Sequence, residues 1–210
     1  GYIAGGTPGA NSKIQRIDYQ NDTATAVLKG ALEVGVAEAG SSSSPSFGYV
    51  FGGYSPKRTN VQRIEYVNDT ATTLERGSLN HARRHVKGTG NKDFGYAMGG
   101  DYPSRRSDVE RIDYSNDSAT PVIRGDLTGV TYRTAATGNQ NFGYINLNPG
   151  KATVNRVDYS NDSATAVVKG PLSLGRHQLA ATGNADFGYF GGGDPSRSTV
   201  DRIDYSNDTA

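Results

Sequence analysis

Three histidines are the first residues of this chain that could bind a metal ion. His81 and His85 are four residues apart, a spacing that brings two imidazoles together only on a helix, and their segment reads as a linker followed by a strand. His177 lies far from both, and no position of the repeats described below collects histidines. The chain has no Cys, which excludes thiolate ligands. We predict no metal site.

The segment from Asp18 to Asp22 is a candidate for calcium binding. Calcium takes about six to eight oxygen ligands in a compact cage. Asp18, Asn21 and Asp22 offer three side chains on either side of a bend. The Asn-Asp-Thr and Asn-Asp-Ser sequences also suit a hairpin turn, because Asn and Asp adopt left-handed backbone conformations and bond to their own backbone. A turn explains the segment better than an ion site does.

These turns also match the acceptor pattern for N-glycosylation, Asn-x-Ser/Thr. A pattern of three residues inside a repeat recurs whenever the repeat does, so turn chemistry is the simpler explanation. Glycosylation is a hypothesis for a chain that passes through a eukaryotic secretory pathway. The acceptors would be Asn21, Asn68, Asn116, Asn161 and Asn207.

An arginine and an acidic residue two positions apart recur in every unit, as Arg202 and Asp204 do. Alternation puts both on one face of a strand, and charges that are buried between sheets need partners. We interpret the pair as part of a ladder of ion pairs between sheets. An active site needs a unique group of residues, and the chain has neither a Gly-x-Ser-x-Gly motif nor a Walker-type loop. We predict no catalytic residue, no cofactor and no enzymatic activity.

A repeat sets the elements that carry these residues. Arg-Ile-Asp-Tyr and a polar turn recur five times with small variations, and the tyrosines, 45 to 48 residues apart, are Tyr19, Tyr66, Tyr114, Tyr159 and Tyr205. A period of about 40 to 50 residues with several short strands is typical of β-propeller blades. We predict one repeat domain, residues 1–210, with units at 1–46, 47–93, 94–141, 142–186 and, incompletely, 187–210.

Each unit reads as four short strands without helical periodicity. A Phe-Gly-Tyr strand that ends in glycines comes first and the Arg-Ile-Asp-Tyr strand second; Ser163 to Lys169 is an example of the third, and Gln178 to Asn184 of the last. We predict an all-β propeller of four-stranded antiparallel blades, in which the second strand pairs with the first and the third. The tyrosine of the second strand is predicted to be buried between blades.

Composition and charge restrict the partners. Only 34% of the residues are apolar and 28 are Gly, which suits thin interfaces between closely packed sheets better than one thick core. The net charge of +1 provides no field that would attract nucleic acid. The sequence contains no run of about 18 apolar residues, so we predict no membrane insertion.

The order of these features resembles the kelch repeat, in which a strand ending in Gly-Gly precedes a strand with Tyr before a turn, an outer strand, and an Arg-bearing link to the innermost strand. Those places are held here by Gly52-Gly53, Tyr66, Leu79 and Arg83. Kelch repeats usually have a Trp shortly after the turn, where this chain has small residues such as Thr25. The wording Asp-Arg-Ile-Asp-Tyr-Ser-Asn-Asp-Thr also resembles arrays in structural proteins of tailed phages, notably those that infect cyanobacteria.

The strand count is incomplete in the first and the last unit. The first blade lacks an inner strand, and the last blade lacks an outer one. Propellers close by pairing strands from the two chain ends, which leaves no unprotected edge. We therefore expect the chain to be part of a larger ring or of a longer array.

The connections predict a disc with two charged faces. In a four-stranded blade, the links after the first and third strands emerge on one side of the ring, and the other links emerge on the opposite side. The first side would be a basic interaction face with Lys57, Arg58, Arg105, Arg106, Lys151 and Arg197, together with Lys29, Arg76, Arg124 and Lys169. The opposite side would be acidic, with Asp22, Asp69, Asp117, Asp162 and Asp208, plus Asp93 and Asp186. Such discs could stack head to tail.

These observations favour a non-enzymatic structural or binding module of a virion or an extracellular fibre. It would assemble with itself or with other structural proteins and contact surface glycans through its loops. One alternative is a secreted or surface kelch module of a cell that binds carbohydrate or protein. Another is a propeller enzyme that acts on glycans, which requires a non-repeated cluster of His, Tyr, Glu or Asp near the ring axis. No such cluster is evident in the sequence.

Overall fold

The computed structural model describes residues 1–55, 59–147 and 150–209. In this part of the chain, eighteen strands form five antiparallel sheets arranged in a ring, a five-bladed β-propeller. Sheets 2, 3 and 4 have four strands, and sheets 1 and 5 have three. The predicted all-β propeller is thus confirmed. No helix in the described residues has the length and apolar character needed to cross a membrane.

The strands follow one another in chain order. Sheet 1 contains β1 (Tyr2–Ala4), β2 (Lys13–Arg16) and β3 (Val27–Ala31). Sheet 2 contains β4 (Gly40–Ser43), β5 (Phe47–Phe51), β6 (Asn60–Glu65) and β7 (Leu74–Ser78). Sheet 3 contains β8 (Lys87–Gly90), β9 (Phe94–Met98), β10 (Val109–Asp113) and β11 (Val122–Ile123). Sheet 4 contains β12 (Ala136–Gly138), β13 (Phe142–Asn146), β14 (Val154–Asp158) and β15 (Val167–Lys169). Sheet 5 contains β16 (Ala180–Gly183), β17 (Phe187–Gly191) and β18 (Val200–Asp204).

The strand that carries Arg-Ile-Asp, here called the signature strand, has the predicted neighbours. In sheet 4 it pairs antiparallel with the strand before it, at Tyr144 and Arg156, and with the strand after it, at Arg156 and Val167. Sheets 1, 2 and 3 repeat this order, and in sheet 5 the signature strand pairs with the strand before it. The inner strands β4, β8, β12 and β16 lie side by side around the ring axis.

Glycine is required at two points of the repeat. After the Phe-Gly-Tyr strand, Gly52 and Gly53 have φ angles of +63° and +92°, a region that residues with a Cβ rarely adopt. The glycine inside Phe-Gly-Tyr lies beneath the signature tyrosine of its own sheet. A Cβ built on Gly143 would be 2.8 Å from the hydroxyl oxygen of Tyr159. The missing side chain therefore makes room for the tyrosine ring.

The signature tyrosine begins a 3-10 turn instead of ending the strand. In sheet 3 this turn is Tyr114–Asn116, and Asp113 accepts hydrogen bonds from the backbone N and the Oγ of Ser115, at 2.9 and 2.7 Å. The aspartate of this position thus closes its own turn in sheets 1, 3, 4 and 5 and does not join the predicted ladder between sheets. In sheet 2 the equivalent Glu65 makes no such bond and pairs with Arg63 of its own strand at 2.6 Å. The third strand is also shorter than predicted, since β15 covers Val167–Lys169 and not 163–169.

The hydrophobic core is divided into thin layers between neighbouring sheets. Between sheets 3 and 4, Tyr96, Met98 and Val109 pack with Ile145 and Tyr159. Similar clusters lie between the other sheets that follow one another in sequence. Each layer needs only a few large side chains, so the low apolar content of the chain is sufficient.

Four of the five signature tyrosines lie between sheets, as predicted. Tyr159 and Tyr205 are buried, and Tyr66 and Tyr114 are half-buried. Tyr19 is the exception, with 79% of its surface exposed. The prediction was wrong for this residue because the Tyr19 ring lies on the side of sheet 1 that faces away from sheet 2. No other sheet covers that side in the described part of the chain.

The tyrosine positions allow a matched test of stability. Tyr159→Ala deletes a buried ring between sheets 3 and 4, so the free energy of unfolding should fall by about 3 to 5 kcal/mol. Tyr19→Ala, at the equivalent exposed position, should change it by less than about 0.5 kcal/mol. Chemical denaturation of both variants measures the difference. Equal losses would contradict the burial of Tyr159 between sheets.

Candidate functional site: the junctions between sheets

Neighbouring sheets are joined by a buried aspartate that receives donors from the sheet before it; we call this contact a junction. At the junction of sheets 3 and 4, Asp162 accepts hydrogen bonds from the Tyr96 hydroxyl at 3.0 Å and from Arg111 at 2.9 Å. Arg124 forms an ion pair with its other carboxylate oxygen at 3.3 Å. The backbone N of Gly125 donates to the carbonyl oxygen of Asp162. These donors offset the cost of burying the carboxylate.

The same arrangement occurs at three other junctions. The aspartates there are the buried Asp69 and Asp117 and the half-buried Asp208. The tyrosine donors are Tyr2, Tyr49 and Tyr144. The arginines of the signature strand are Arg16, Arg63 and Arg156. The third donors, from the outer strands, are Lys29, Arg76 and Lys169. Each junction therefore combines one carboxylate, one phenol and two cations.

Aromatic contacts fix the geometry of the same groups. The rings of Tyr96 and Tyr159 are stacked, with centroids 4.5 Å apart, and the other three junctions have the same stack at 4.6 to 5.0 Å. The guanidinium of Arg111 lies 4.3 Å above the centroid of the Phe94 ring. Apolar packing and charge pairing thus involve the same residues, which orients each donor toward the carboxylate.

The junction groups have shifted pKa values. Burial acts to raise the pKa of the Asp208 carboxyl, but hydrogen bonds from Tyr144 and Lys169 and the charge of Arg156 hold it below its ordinary value. The pKa of Asp69 is lowered by the equivalent groups of sheet 1. Burial and the neighbouring carboxylate raise the pKa of the Tyr144 hydroxyl. The phenol therefore remains protonated and can donate its hydrogen bond.

The predicted separation into a basic and an acidic face is wrong for the residues that form the junctions. Lys29, Arg76, Arg124 and Lys169 were assigned to one face and Asp69, Asp117, Asp162 and Asp208 to the other, yet they are in direct contact. The physical reason is the close approach of each turn to the outer strand of the preceding sheet. A Cβ on Gly125 would be 1.9 Å from the Ala164 carbonyl oxygen. These opposite charges neutralise one another between neighbouring sheets.

The side of sheet 1 that faces away from sheet 2 and the side of sheet 5 that faces away from sheet 4 carry the two halves of a junction. On sheet 1, Asp22 and Tyr19 are exposed, and within the described residues the Asp22 carboxylate has no hydrogen-bond or ion-pair partner. We call these two residues the acceptor side. On sheet 5, Tyr189 and Arg202 hold the positions of a tyrosine and an arginine donor, and Arg202 lies 4.6 Å above the Phe187 ring. We call Tyr189 and Arg202 the donor side.

The residues predicted as a basic interaction face have different environments. Arg105 donates to the Tyr132 hydroxyl at 3.0 Å and lies over the Tyr132 ring. Arg106 pairs with Asp108 at 2.7 Å. The exposed members in the described part of the chain are Arg105, Lys151 and Arg197. Two members, Lys57 and Arg58, lie outside the described residues. The face as a whole stays a prediction.

The asparagines of the Asn-Asp turns are accessible. In the turn of sheet 4, Asn161 Oδ1 accepts a hydrogen bond from the Ser163 hydroxyl at 3.4 Å, and the other turns have the equivalent contact. The exposed asparagines are Asn21, Asn68, Asn116, Asn161 and Asn207. Their side chains support the turns, and glycosylation of these residues stays a prediction.

A second charged group, at the ring interior, was not predicted from the sequence. Arg83, in the link before β8, is fully buried and pairs with Asp108 and Glu110. His81 Nδ1 lies 3.4 Å from Asp108, and this histidine and the two carboxylates are the one group of possible metal ligands in the described residues. The guanidinium already occupies both carboxylates, so a cation would have to displace it. Of these residues, only Arg83 can be singled out from the sequence, as the arginine of the link. Its partners Asp108 and Glu110 are 25 and 27 residues away, so the sequence does not connect them with it.

The link arginine and its partner vary together from sheet to sheet. In sheet 5, Arg176 takes the place of Arg83 and bonds to Asp201 at 2.6 Å. In sheets 2 and 4 the link carries an uncharged residue, and the partner position is uncharged too. Val36 and Thr131 hold the link position, and Gln62 and Asn155 hold the partner position, where their amides bond to Val34 and Thr128 of the link instead. A buried positive charge is present only where a negative one faces it.

A scan of protein families and a search of curated proteins find no match to this chain. The propeller fold therefore rests on the strand order and the junctions described above. The fold alone does not test the resemblance of the repeat to kelch and phage sequences.

The charge at a junction can be tested by an isosteric substitution. Asp162→Asn keeps the size of the side chain but leaves Arg111 and Arg124 without a counter-charge, so the free energy of unfolding should fall by about 2 to 3 kcal/mol. Asp22→Asn, at the equivalent position of the acceptor side, should change it by less than about 0.5 kcal/mol. Urea denaturation measures both values. If Asp162→Asn were as stable as the unmodified chain, the carboxylate would not hold the junction.

The lowered pKa values of Asp69 and Asp208 predict the direction of the pH dependence. A carboxyl with a depressed folded-state pKa stabilises the fold fully above its unfolded value, about 4, and this stabilisation is lost as the pH falls through the folded value. The midpoint temperature of thermal unfolding should therefore be constant from about pH 7 to 5 and fall below about pH 4. Asp69→Asn should reduce this loss, whereas Asp22→Asn should leave it unchanged. Stability that rises on acidification would contradict the assignment.

Proposed function

We propose that the chain is a non-enzymatic β-propeller assembly module, in which the donor side of sheet 5 binds the acceptor side of sheet 1 of a second copy. The complementarity of these two sides is the observation that carries the proposal. They present the separate halves of a contact that the chain makes four times within itself. The internal junctions therefore serve as a template for the geometry of the contact between copies.

The proposed contact uses the same donors as the internal junctions. Asp22 would accept hydrogen bonds from the Tyr189 hydroxyl and from Arg202, and Tyr19 would stack on Tyr189. Arg202 is already positioned over Phe187, so little side-chain freedom is lost on binding. Because the two copies contribute different surfaces, the contact is heterologous and propagates into a larger ring or a fibre.

The absence of enzymatic activity is part of the proposal. A catalytic centre needs a unique arrangement of acids, bases and nucleophiles. The buried polar groups of the junctions occur in four equivalent copies and contact one another. The non-repeated group of His81, Asp108 and Glu110 is paired with Arg83. Both observations support a structural use of these charges.

We further propose that this assembly takes place in a virion or an extracellular fibre, with structural proteins or surface glycans as additional partners. The resemblance of the signature repeat to phage structural arrays supports the setting. Exposed charged residues in loops, such as Arg105 and Arg197, are available for such contacts. A secreted or surface kelch-like module of a cell is the second candidate, supported by the same resemblance to kelch repeats.

Charge reversal tests the contact between copies. Asp22→Arg and Arg202→Asp each bring like charges together, so each variant alone should associate at least about tenfold more weakly than the unmodified chain. An equimolar mixture of the two variants should regain association, because each donor side then meets an acceptor side of opposite charge. Sedimentation velocity over a range of protein concentrations measures these differences.

The control for charge reversal is Lys151→Glu, which changes an exposed charge outside the junctions and should leave association unchanged. Circular dichroism shows whether each variant is folded. A monomer at every concentration of the unmodified chain would overturn the proposal. So would a mixture of the two reversed variants that associates no better than either variant alone.

A further inference from the structure

We propose that the inner edge of β1 binds an extended segment of the type that forms the inner strands of the other sheets, supplied by a further repeat of this kind. The binding site, which we call the strand groove, consists of the β1 edge, Gln15 and Tyr66. It opens into a cavity of about 820 Å³ at the ring axis. Self-association through Asp22 and Arg202 uses other residues, so the two proposals stand or fall separately.

The backbone of β1 is the first part of the groove. In sheets 2 to 5, the Phe-Gly-Tyr strand pairs with an inner strand on one edge and with the signature strand on the other. In the described residues β1 pairs with β2 alone. Ile3 is 53% exposed, whereas Val50 and Ile145 at the equivalent positions are 6% and 0% exposed because each packs against the preceding sheet. An added inner strand would complete the backbone pairing of β1.

Gln15 is the second part of the groove. In the other sheets, the side chain at this position accepts a hydrogen bond from the backbone N–H of the link that leads to the inner strand. Gln62 receives it from Val34 at 2.9 Å and Asn155 from Thr128 at 2.7 Å. The side chain of Gln15 is half-buried and has no such bond within the described residues. An incoming link would supply the missing donor.

Tyr66 is the third part of the groove. Two inner strands offer a hydroxyl to the signature tyrosine of the next sheet: Tyr159 donates to Thr89 at 2.8 Å, and Tyr205 is 3.0 Å from Thr137. By the same geometry, the hydroxyl for Tyr66 of sheet 2 would come from an inner strand of sheet 1. Tyr66 lines the cavity beside that position. The occupant should therefore carry Ser or Thr opposite Tyr2.

The space around the axis limits the occupant to small residues. A Cβ on Gly88 of β8 would be 2.1 Å from the Ser41 carbonyl oxygen of the neighbouring inner strand. The four inner strands accordingly read Gly-Ser-Ser-Ser, Lys-Gly-Thr-Gly, Ala-Thr-Gly and Ala-Ala-Thr-Gly. In all four, a Ser or Thr lies opposite the tyrosine of the adjacent strand. A segment of this composition matches the groove in size and in hydrogen bonding.

The charge of the occupant follows from Gln15. Where the link carries a buried arginine, as with Arg83, the partner position is acidic, and where the link is uncharged, as with Thr131, the partner is an amide. Gln15 is an amide and cannot neutralise a buried guanidinium. The groove should therefore select links of the Thr131 type over links of the Arg83 type.

A synthetic peptide with the sequence of residues 126–139 tests the groove on the full chain. The peptide contains the link with the uncharged Thr131 and the Ala-Thr-Gly strand of sheet 4. Hydrogen–deuterium exchange should slow at residues 2–4 when the peptide is added, and calorimetry should give a dissociation constant below about 1 mM. The Thr137→Val peptide should bind about three- to tenfold more weakly, and Tyr66→Phe in the chain should produce a similar loss.

A charge exchange across the groove provides the decisive comparison. The Thr131→Arg peptide should bind the unmodified chain at least about tenfold more weakly, and the Gln15→Glu chain should recover that binding. A substitution that merely disturbs folding cannot restore binding of one altered peptide. Urea denaturation verifies that Gln15→Glu remains folded.

Three results would overturn the inference. The first is protection from exchange that appears elsewhere but not at residues 2–4. The second is equal affinity for the peptide and a scrambled version of it, which would indicate nonspecific occupation of the cavity. The third is a Thr131→Arg peptide that binds both forms of the chain equally well.

Discussion

The ring depends on one constraint: a carboxylate that is buried between two sheets must find all its donors on the sheet next to its own. Burial without donors would cost several kcal/mol, and each aspartate meets the requirement with a phenol and two cations. The tyrosine and arginine that donate to the carboxylate are also the residues that stack on a tyrosine and lie over a phenylalanine. This packing orients the donors toward the carboxylate. Each sheet is thus positioned by its neighbour, and no central core is needed to hold the ring together.

Most of the fold could be predicted from the sequence because the repeat presents it five times. The spacing of Arg-Ile-Asp-Tyr and the glycines after Phe-Gly-Tyr predict blades of short antiparallel strands, and the pairing of Tyr144 with Arg156 and Arg156 with Val167 agrees with that order. Repetition also limits what can be learned. Tyr19 and Tyr159 hold the same position of the repeat, although only Tyr159 is covered by a neighbouring sheet.

The junction chemistry could not be predicted because its partners are far apart along the chain. Arg111 and Asp162 are 51 residues apart, and the strand alternation suggested Asp113 as the acidic partner instead. Asp113 bonds within its own turn because its carboxylate reaches the backbone N–H two residues further along the chain. Such a local bond loses less conformational entropy than a contact between sheets. Arg124 and Asp162 are predicted on different faces of the ring, because the close approach at Gly125 has no sequence signature other than a glycine.

The link residue matches the residue at the partner position, a buried arginine with an acid at Arg83 and Glu110 and an uncharged residue with an amide at Thr131 and Asn155. This match has a consequence for how such a chain can evolve. Near-identical repeats recombine readily, and a crossover between the link and the signature strand would join a link arginine to an amide partner. The product would carry an uncompensated buried guanidinium and would be selected against. Crossovers that keep a link together with the signature strand that follows it preserve the pair. The heritable unit of this array is therefore the folded sheet with its own link, which is offset from the unit that the repeated wording suggests.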